Sequence, residues 1–133
     1  AAVERDGFLT EIRSLSPRFL HPETHRDGHI VELMVRQAFE IGPEAYRRHH
    51  LAMMKRPDYR PLLPHIGCPT LVVGGRQDYV TRATSQARMA RGIPAAKLVL
   101  LERCAHMVTL ERPHETVQAM RHWLHDGQRA LAA

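Results

Sequence analysis

Two polar residues stand close behind two short apolar runs, and their types are complementary. Asp78 lies three residues beyond Gly75, after Thr70-Leu71-Val72-Val73-Gly74-Gly75, and His106 lies five residues beyond Leu101, after Lys97-Leu98-Val99-Leu100-Leu101. If the runs are adjacent parallel strands, both loops open on one rim of the sheet, the carboxyl edge where open α/β sheets gather functional groups. A carboxylate that accepts from one imidazole nitrogen fixes the tautomer and stabilises the imidazolium, leaving the other nitrogen free as a general base. Asp followed by His is thus the back half of a nucleophile–His–acid relay. Taken singly, each residue has a plainer reading: an Asp in a Gly-rich turn bends or caps the chain, and a His behind a strand is structural.

Other reactive side chains carry less. Cys68, before Pro69 at a strand start, reads as a small buried residue. Cys104 sits two residues before His106, but neighbouring loop residues seldom align for proton transfer, which favours packing over a thiol nucleophile. His21, His25 and His29 share the i+4 spacing of a helical metal site, yet Pro22 and Gly28 interrupt any helix through them. Glu111, just before Pro113, reads as a cap or dipole partner for the helix that follows.

The elements around these residues change character along the chain. Residues 1–60 read as helices only. One is expected over about Ala2–Ser14, with Val3, Phe8, Leu9, Ile12 and Leu15 inward, weakened by Gly7 and broken at Ser16-Pro17. A second begins after Asp27 as N-cap and turns a wide face of Ile30, Val31, Leu33, Met34, Val35, Ala38, Phe39 and Ile41 inward. Gly42 suits its C-terminal cap and Pro43 the first turn of the next helix, about Pro43–Lys55. Pro57, Pro61, Pro64 and Gly67 then punctuate a connection. After it the pattern is β-α-β-α: the two apolar runs, a helix over about Arg82–Arg91 ended by Gly92, and a last helix over about Pro113–Asp126. That last helix carries Val117, Met120 and Leu124 on one stripe, with Gly127 as cap. Strands apolar at every position belong to a parallel sheet covered on both faces.

Composition narrows the class. The 133 residues are 44% hydrophobic and 25% charged, an ordinary globular balance that excludes disorder and low complexity. No apolar run reaches the ~18 residues of a membrane span. Two cysteines without C-x-x-C spacing favour a reducing, cytoplasmic setting, and no signal peptide is visible at the start. The formal charge of +5 is uneven, with ten basic and nine acidic residues in 1–60 against nine and five in 61–133. The arginines are dispersed and not interleaved with aromatics, which argues against nucleic acid as a partner.

The segment from Ile66 to Asp78, Ile-Gly-Cys-Pro-Thr-Leu-Val-Val-Gly-Gly-Arg-Gln-Asp, resembles the penultimate-strand motif I-x-x-P-T-L-x-x-x-G-x-x-D of the α/β-hydrolase superfamily. Cys104-Ala105-His106-Met107-Val108-Thr109-Leu110-Glu111-Arg112-Pro113 resembles that family's histidine loop, G-H-x-x-x-x-E-x-P, with Ala105 in place of the usual Gly. The resemblance covers about residues 62–126 and implies that Asp78 is the triad acid and His106 the triad base. By position it makes residues 1–60 a helical cap segment and residues 61–133 the C-terminal β-α-β-α part of the core. The family's nucleophile lies in a G-x-S-x-G elbow. Ser14, Ser16 and Ser85 have no such context, so the nucleophile and the Gly-rich oxyanion loop are expected outside this chain.

The fold class so implied is α/β, a partial α/β-hydrolase. The implied reaction is hydrolysis of a small carboxylic ester, with no metal and no organic cofactor; C–C bond, lactone, amide and dehalogenating hydrolysis are the runners-up. The bare edge of the first strand is expected to be covered in a homodimer or by the N-terminal half of the fold. A non-catalytic interaction domain is the alternative from another class.

Overall fold

The computed structural model describes the backbone of residues 2–131 and the side chains of residues 6–125. Four helices come first: α1 (Ala2–Phe19), α2 (Pro22–His25), α3 (Gly28–Ile41) and α4 (Pro43–Met54). A 3₁₀ turn at Arg60–His65 leads into β1 (Thr70–Gly75), α5 (Ala83–Gly92), β2 (Ala96–Leu101), α6 (Val108–Glu111) and α7 (Pro113–Leu131). The two strands pair in parallel, from Thr70 opposite Ala96 to Gly75 opposite Leu101. Helices α5 and α7 each pack on both strands. Leu71, Lys97, Val99 and Leu101 share a groove with α7, whereas a side chain at Gly74 would point into Gln86 of α5, so the two helices take opposite faces.

The helical half has two small cores. Ile12 of α1 meets Val35 and Ala38 of α3, with Phe8, Leu9 and Tyr46 packed against them; Leu20, Val31 and Met34 form the second, with Phe19, Met107 and Leu110 alongside. The second core ties the helices to the α/β half, because Met107 and Leu110 belong to the chain that follows β2. The buried face of α3 is narrower than its sequence suggests: Phe39 and Ile41 are exposed, since α1 covers a single stripe. Asp27 caps α3 as expected, its Oδ1 accepting from the His29 N–H at 2.9 Å. Gly42 ends that helix at φ 78°, a left-handed value that favours glycine.

Two expected boundaries fail for physical reasons. Helix α1 does not break at Ser16-Pro17 but runs on to Phe19. Proline removes the N–H that would have bonded the Arg13 carbonyl four residues back. The Ser16 hydroxyl takes its place, donating to that carbonyl at 2.7 Å, and is itself fully buried. Its single proton being so used, His25 Nε2 at 3.0 Å must be the donor to Ser16 Oγ, which pins α2 onto α1. At the other end, α7 passes through Gly127 to Leu131 instead of stopping; a helical glycine costs only about 1 kcal/mol. Val3, assigned to the inward face of α1, lies outside the described side chains.

The stripe of Val117, Met120 and Leu124 on α7 is about half exposed. No helix among the described residues is long and apolar enough to cross a membrane.

Ser16→Ala should unfold more easily by about 1–2 kcal/mol in urea titrations, because it leaves both the Arg13 carbonyl and the His25 N–H without a partner in a half-buried place. An unchanged midpoint would show that Pro17 is tolerated for some other reason.

Candidate active site

The parallel register ends both strands at one level, and the chain that follows each strand leans on the other. Arg76 N–H donates to the Leu101 carbonyl at 2.9 Å and Gln77 N–H to the Cys104 carbonyl at 3.0 Å, while Gln77 Oε1 accepts from Cys104 N–H at 3.1 Å. So close a passage demands glycine. A Cβ on Gly75 would lie 2.0 Å from the Ala105 carbonyl oxygen and 2.4 Å from that of Cys104, both backbone atoms that cannot swing aside. On the opposite face, a Cβ on Gly74 would lie 1.6 Å from Gln86 Oε1. The second glycine admits the chain after β2, and the first admits the Gln86 amide, which reaches the carboxylate of the loop after β1.

That carboxylate is Asp78. Its Oδ1 accepts from Val80 N–H at 2.7 Å and Thr81 N–H at 2.9 Å, an Asx turn that folds the loop over it. Its Oδ2 accepts from the Thr81 hydroxyl at 2.7 Å, from Gln86 Nε2 at 3.3 Å, and lies 3.0 Å from His106 Nδ1. The Asp78 side chain is 3% exposed and the imidazole 31%, so one partner is locked away and the other meets solvent. Burial alone would favour the neutral acid. Hydrogen bonds from His106, from the Thr81 hydroxyl and from the Thr81 and Val80 N–H groups outweigh it and hold the carboxyl below its ordinary range. With Nδ1–H directed at an ionised carboxylate, the neutral imidazole carries its lone pair on Nε2, which has no hydrogen-bond partner among the described residues. Such an arrangement can take a proton and return it.

Ala105, where the family motif has Gly, costs little. Among the described residues the non-glycine with positive φ is Arg103, at 52°, so Ala105 sits where any L-residue fits. Arg103 uses its unusual backbone to aim a guanidinium at Glu23 of α2, with Nε 2.7 Å from Oε2. The His106 loop touches the helical half at other points too: His106 N–H donates to the Phe19 carbonyl at 3.0 Å, and the Phe19 ring stands 5.7 Å from the imidazole.

Glu111 corrects its sequence reading. It does not cap α7 but is 5% exposed and turns inward, accepting from Ala105 N–H at 2.9 Å and Met107 N–H at 3.2 Å through Oε1, and from His21 N–H at 2.7 Å through Oε2. Its fixed distance from His106 was visible in the sequence; its donors, one of them 90 residues away, were not.

The remaining candidates separate cleanly. Cys104 is wholly buried, and burial together with the charge of Glu111 pushes its thiol up to about 12, which leaves it inert as a nucleophile. Cys68 is exposed rather than buried, since it precedes the first paired residue of β1. His21 caps α2 through Nδ1, His25 holds Ser16, and no group of three metal-ligating side chains forms among the described residues. Ser16 is enclosed, and Ser14 turns its hydroxyl back to the Glu11 carbonyl. An apolar groove of about 180 Å³ opens beside the loop, lined by Ile12, Leu15, Phe19, Met34, Ile41 and Met107 among others. A larger cleft of about 480 Å³, between Arg56–Arg60 and α5, includes neither Asp78 nor His106.

A carboxylate on the loop after β1 and an imidazole on the loop after β2 thus meet at the carboxyl edge of a parallel pair, an α/β core with helices on both faces. Residues 1–119 match the model of the alpha/beta hydrolase family, and the chain belongs to that family. Over 116 residues it is 28% identical to a protein of Rhizobium rhizogenes named as a carbamate hydrolase, RutD, covering 85% of this chain and 44% of that one. It is 33% identical over 67 residues to a pimeloyl-[acyl-carrier protein] methyl ester esterase of Nitrosomonas europaea, covering 50% and 27%. The fold superposes on a thermophilic esterase from Thermogutta terrifontis with a TM-score of 0.81 at 28% identity, covering 93% of this chain and 49% of that one. The chain thus spans about half the length of the relatives it matches or less.

Gly75→Ala should cost at least about 2 kcal/mol in chemical denaturation, near the upper end for overpacking, because the intruding methyl meets backbone. A cost under about 0.5 kcal/mol would mean that the loops do not pass as closely as described.

The depressed Asp78 carboxyl contributes stability that is complete above the ordinary aspartate value of about 3.9 and is lost as pH falls through its lower folded value. Its side-chain carbon should therefore titrate below about 3.9 by NMR. The destabilisation caused by Asp78→Asn should shrink as the pH drops through that range. A midpoint above about 3.9 would contradict the bonding around Asp78.

Proposed function

We propose that this chain carries the acid–base half of an α/β-hydrolase that cleaves small carboxylic esters. The observation that carries the reading is the 3.0 Å contact between Asp78 Oδ2 and His106 Nδ1, with no hydrogen-bond partner at Nε2 among the described residues. In this reading a hydroxyl nucleophile outside these residues attacks the ester carbonyl while His106 Nε2 takes its proton. The imidazolium then protonates the departing alcohol, and a water activated in the same way releases the acid. Asp78 holds the ring in the productive tautomer and balances its transient charge. The helical residues 1–60 act as the cap. The groove beside the loop receives the apolar part of the ester, since its size resembles that of protein cavities that accept benzene, about 150 Å³. The esterase relatives support the ester assignment.

The exposed stripe on α7 and the outer edge of β1 support association with the N-terminal half of the fold or with a second copy.

The isolated chain should hydrolyse p-nitrophenyl esters no faster than solvent-exposed imidazoles do, because nucleophile and oxyanion donors supply most of the rate. Saturable turnover that survives His106→Ala would overturn the assignment. In the genome, coding sequence upstream of Ala1 should encode a G-x-S-x-G after an apolar strand; a natural start codon at this point would favour an interaction domain instead.

A further inference from the structure

Glu111 is, among the described residues, the buried carboxylate near the site that the proposed relay does not use, and its bonding divides. Oε1 accepts from Ala105 and Met107, the two residues that flank His106, at 2.9 and 3.2 Å. Oε2 accepts at 2.7 Å from His21, the last residue of the connection between α1 and α2. No Lys, Arg or His pairs with it as a salt bridge among the described residues; its oxygens are met by backbone N–H groups and, at 4.0 Å, by the Cys104 thiol. A carboxylate so placed is a poor general acid or base, being enclosed and pointed away from solvent. It is well built as a joint, because a single rigid group fixes two chain segments at once.

We propose that Glu111 is a positioning residue that couples the seating of the helical half to the placement of His106. Two neighbouring contacts run between the same two segments and share the load. His106 N–H bonds the Phe19 carbonyl, and Arg103 reaches Glu23 just beyond His21. Displacing residues 19–23 therefore pulls on Glu111 Oε2, and through Oε1 on the amides at both sides of the imidazole. His106 is held for Asp78 when the helices are docked and released when they lift. The coupling rests on the reading of Asp78 and His106 as a working pair, and the experiment separates the two.

The two oxygens make substitutions informative in different ways. Glu111→Gln keeps one carbonyl oxygen for the two loop amides but turns an NH2 toward His21 N–H, donor against donor. Glu111→Ala removes both ends. Glu115→Gln, on the exposed surface of α7, is the control. The readouts on the full ¹⁵N-labelled chain are the exchange rates of the His21, Ala105 and Met107 amides and the far-downfield resonance of an imidazole Nδ1 proton bonded to a carboxylate. Glu111→Gln should raise His21 exchange tenfold or more while Ala105, Met107 and the Nδ1 resonance stay near the control. Glu111→Ala should accelerate all three amides and broaden or shift the Nδ1 resonance while the β1–β2 amides remain protected.

Should the alanine variant fail to fold, the isosteric glutamine variant decides. Equal behaviour of Glu111→Gln and the control would overturn the joint, and so would loss of loop and helix protection together in Glu111→Gln. An undisturbed Nδ1 resonance in a folded Glu111→Ala would overturn the positioning role. Absence of that resonance from the unsubstituted chain would overturn the Asp78–His106 pair itself, and the Ala105, Met107 and His21 amides then decide the coupling alone.

Discussion

The meeting of a carboxylate and an imidazole at the carboxyl edge depends on a separation smaller than a methyl group. Where β1 ends, the chain after β2 passes so near Gly75 that its carbonyls fill the space any Cβ would need. Only at that spacing do the loop hydrogen bonds between Arg76 and Leu101 and between Gln77 and Cys104 close, and they in turn set where Asp78 and His106 begin. A parallel pair by itself brings two loops to one rim. It does not bring a carboxylate within 3.0 Å of an imidazole. The glycine pair does, one residue serving each face of the sheet.

Two buried carboxylates flank this passage, and they solve the same solvation problem with opposite consequences. Removing a carboxylate from water is costly unless its lone pairs are met. Asp78 meets the cost with two backbone N–H groups, a hydroxyl, an amide and the His106 imidazole, so one of its partners can change charge. Glu111 meets it chiefly with backbone N–H groups, which cannot. The first can respond to a proton moving through His106, whereas the second is fixed. Cys104, wedged between backbone and Glu111, shows the price of that arrangement for a neighbour, its thiol held protonated.

Much of this was legible in the chain, because strand-end residues are read by counting. Apolar runs marked β1 and β2 to within two residues, and the spacing behind them located Asp78 and His106. What was hidden depends on partners distant in sequence or on compensation. Pro17 reads as a stop because nothing in a propensity says that the preceding serine will take over the orphaned carbonyl. Glu111 reads as a cap because its position before Pro113 is local, while His21 is not. Cys68 reads as buried from its residue type, and its exposure follows from where pairing starts. The narrow face of α3 has the same origin: a periodic pattern counts apolar residues, but only the packed neighbour decides which are covered.

The apolar surface left over is distributed as a cut sheet would leave it. A complete parallel sheet covers each strand on two faces and two edges. Here β1 and β2 have each other along one edge, with α5 and α7 on the faces. The Val117–Met120–Leu124 stripe looks outward from α7, at helical spacing, although a helix packed only on this sheet would have no use for it. Leu98 on β2 is exposed as well. The helical half, by contrast, closes its cores with its own residues and borrows Met107 and Leu110 from the loop. Apolar surface is nevertheless left on both halves, since Phe39, Ile41, Met53 and Met54 are exposed on the helices as the α7 stripe and Leu98 are on the sheet side.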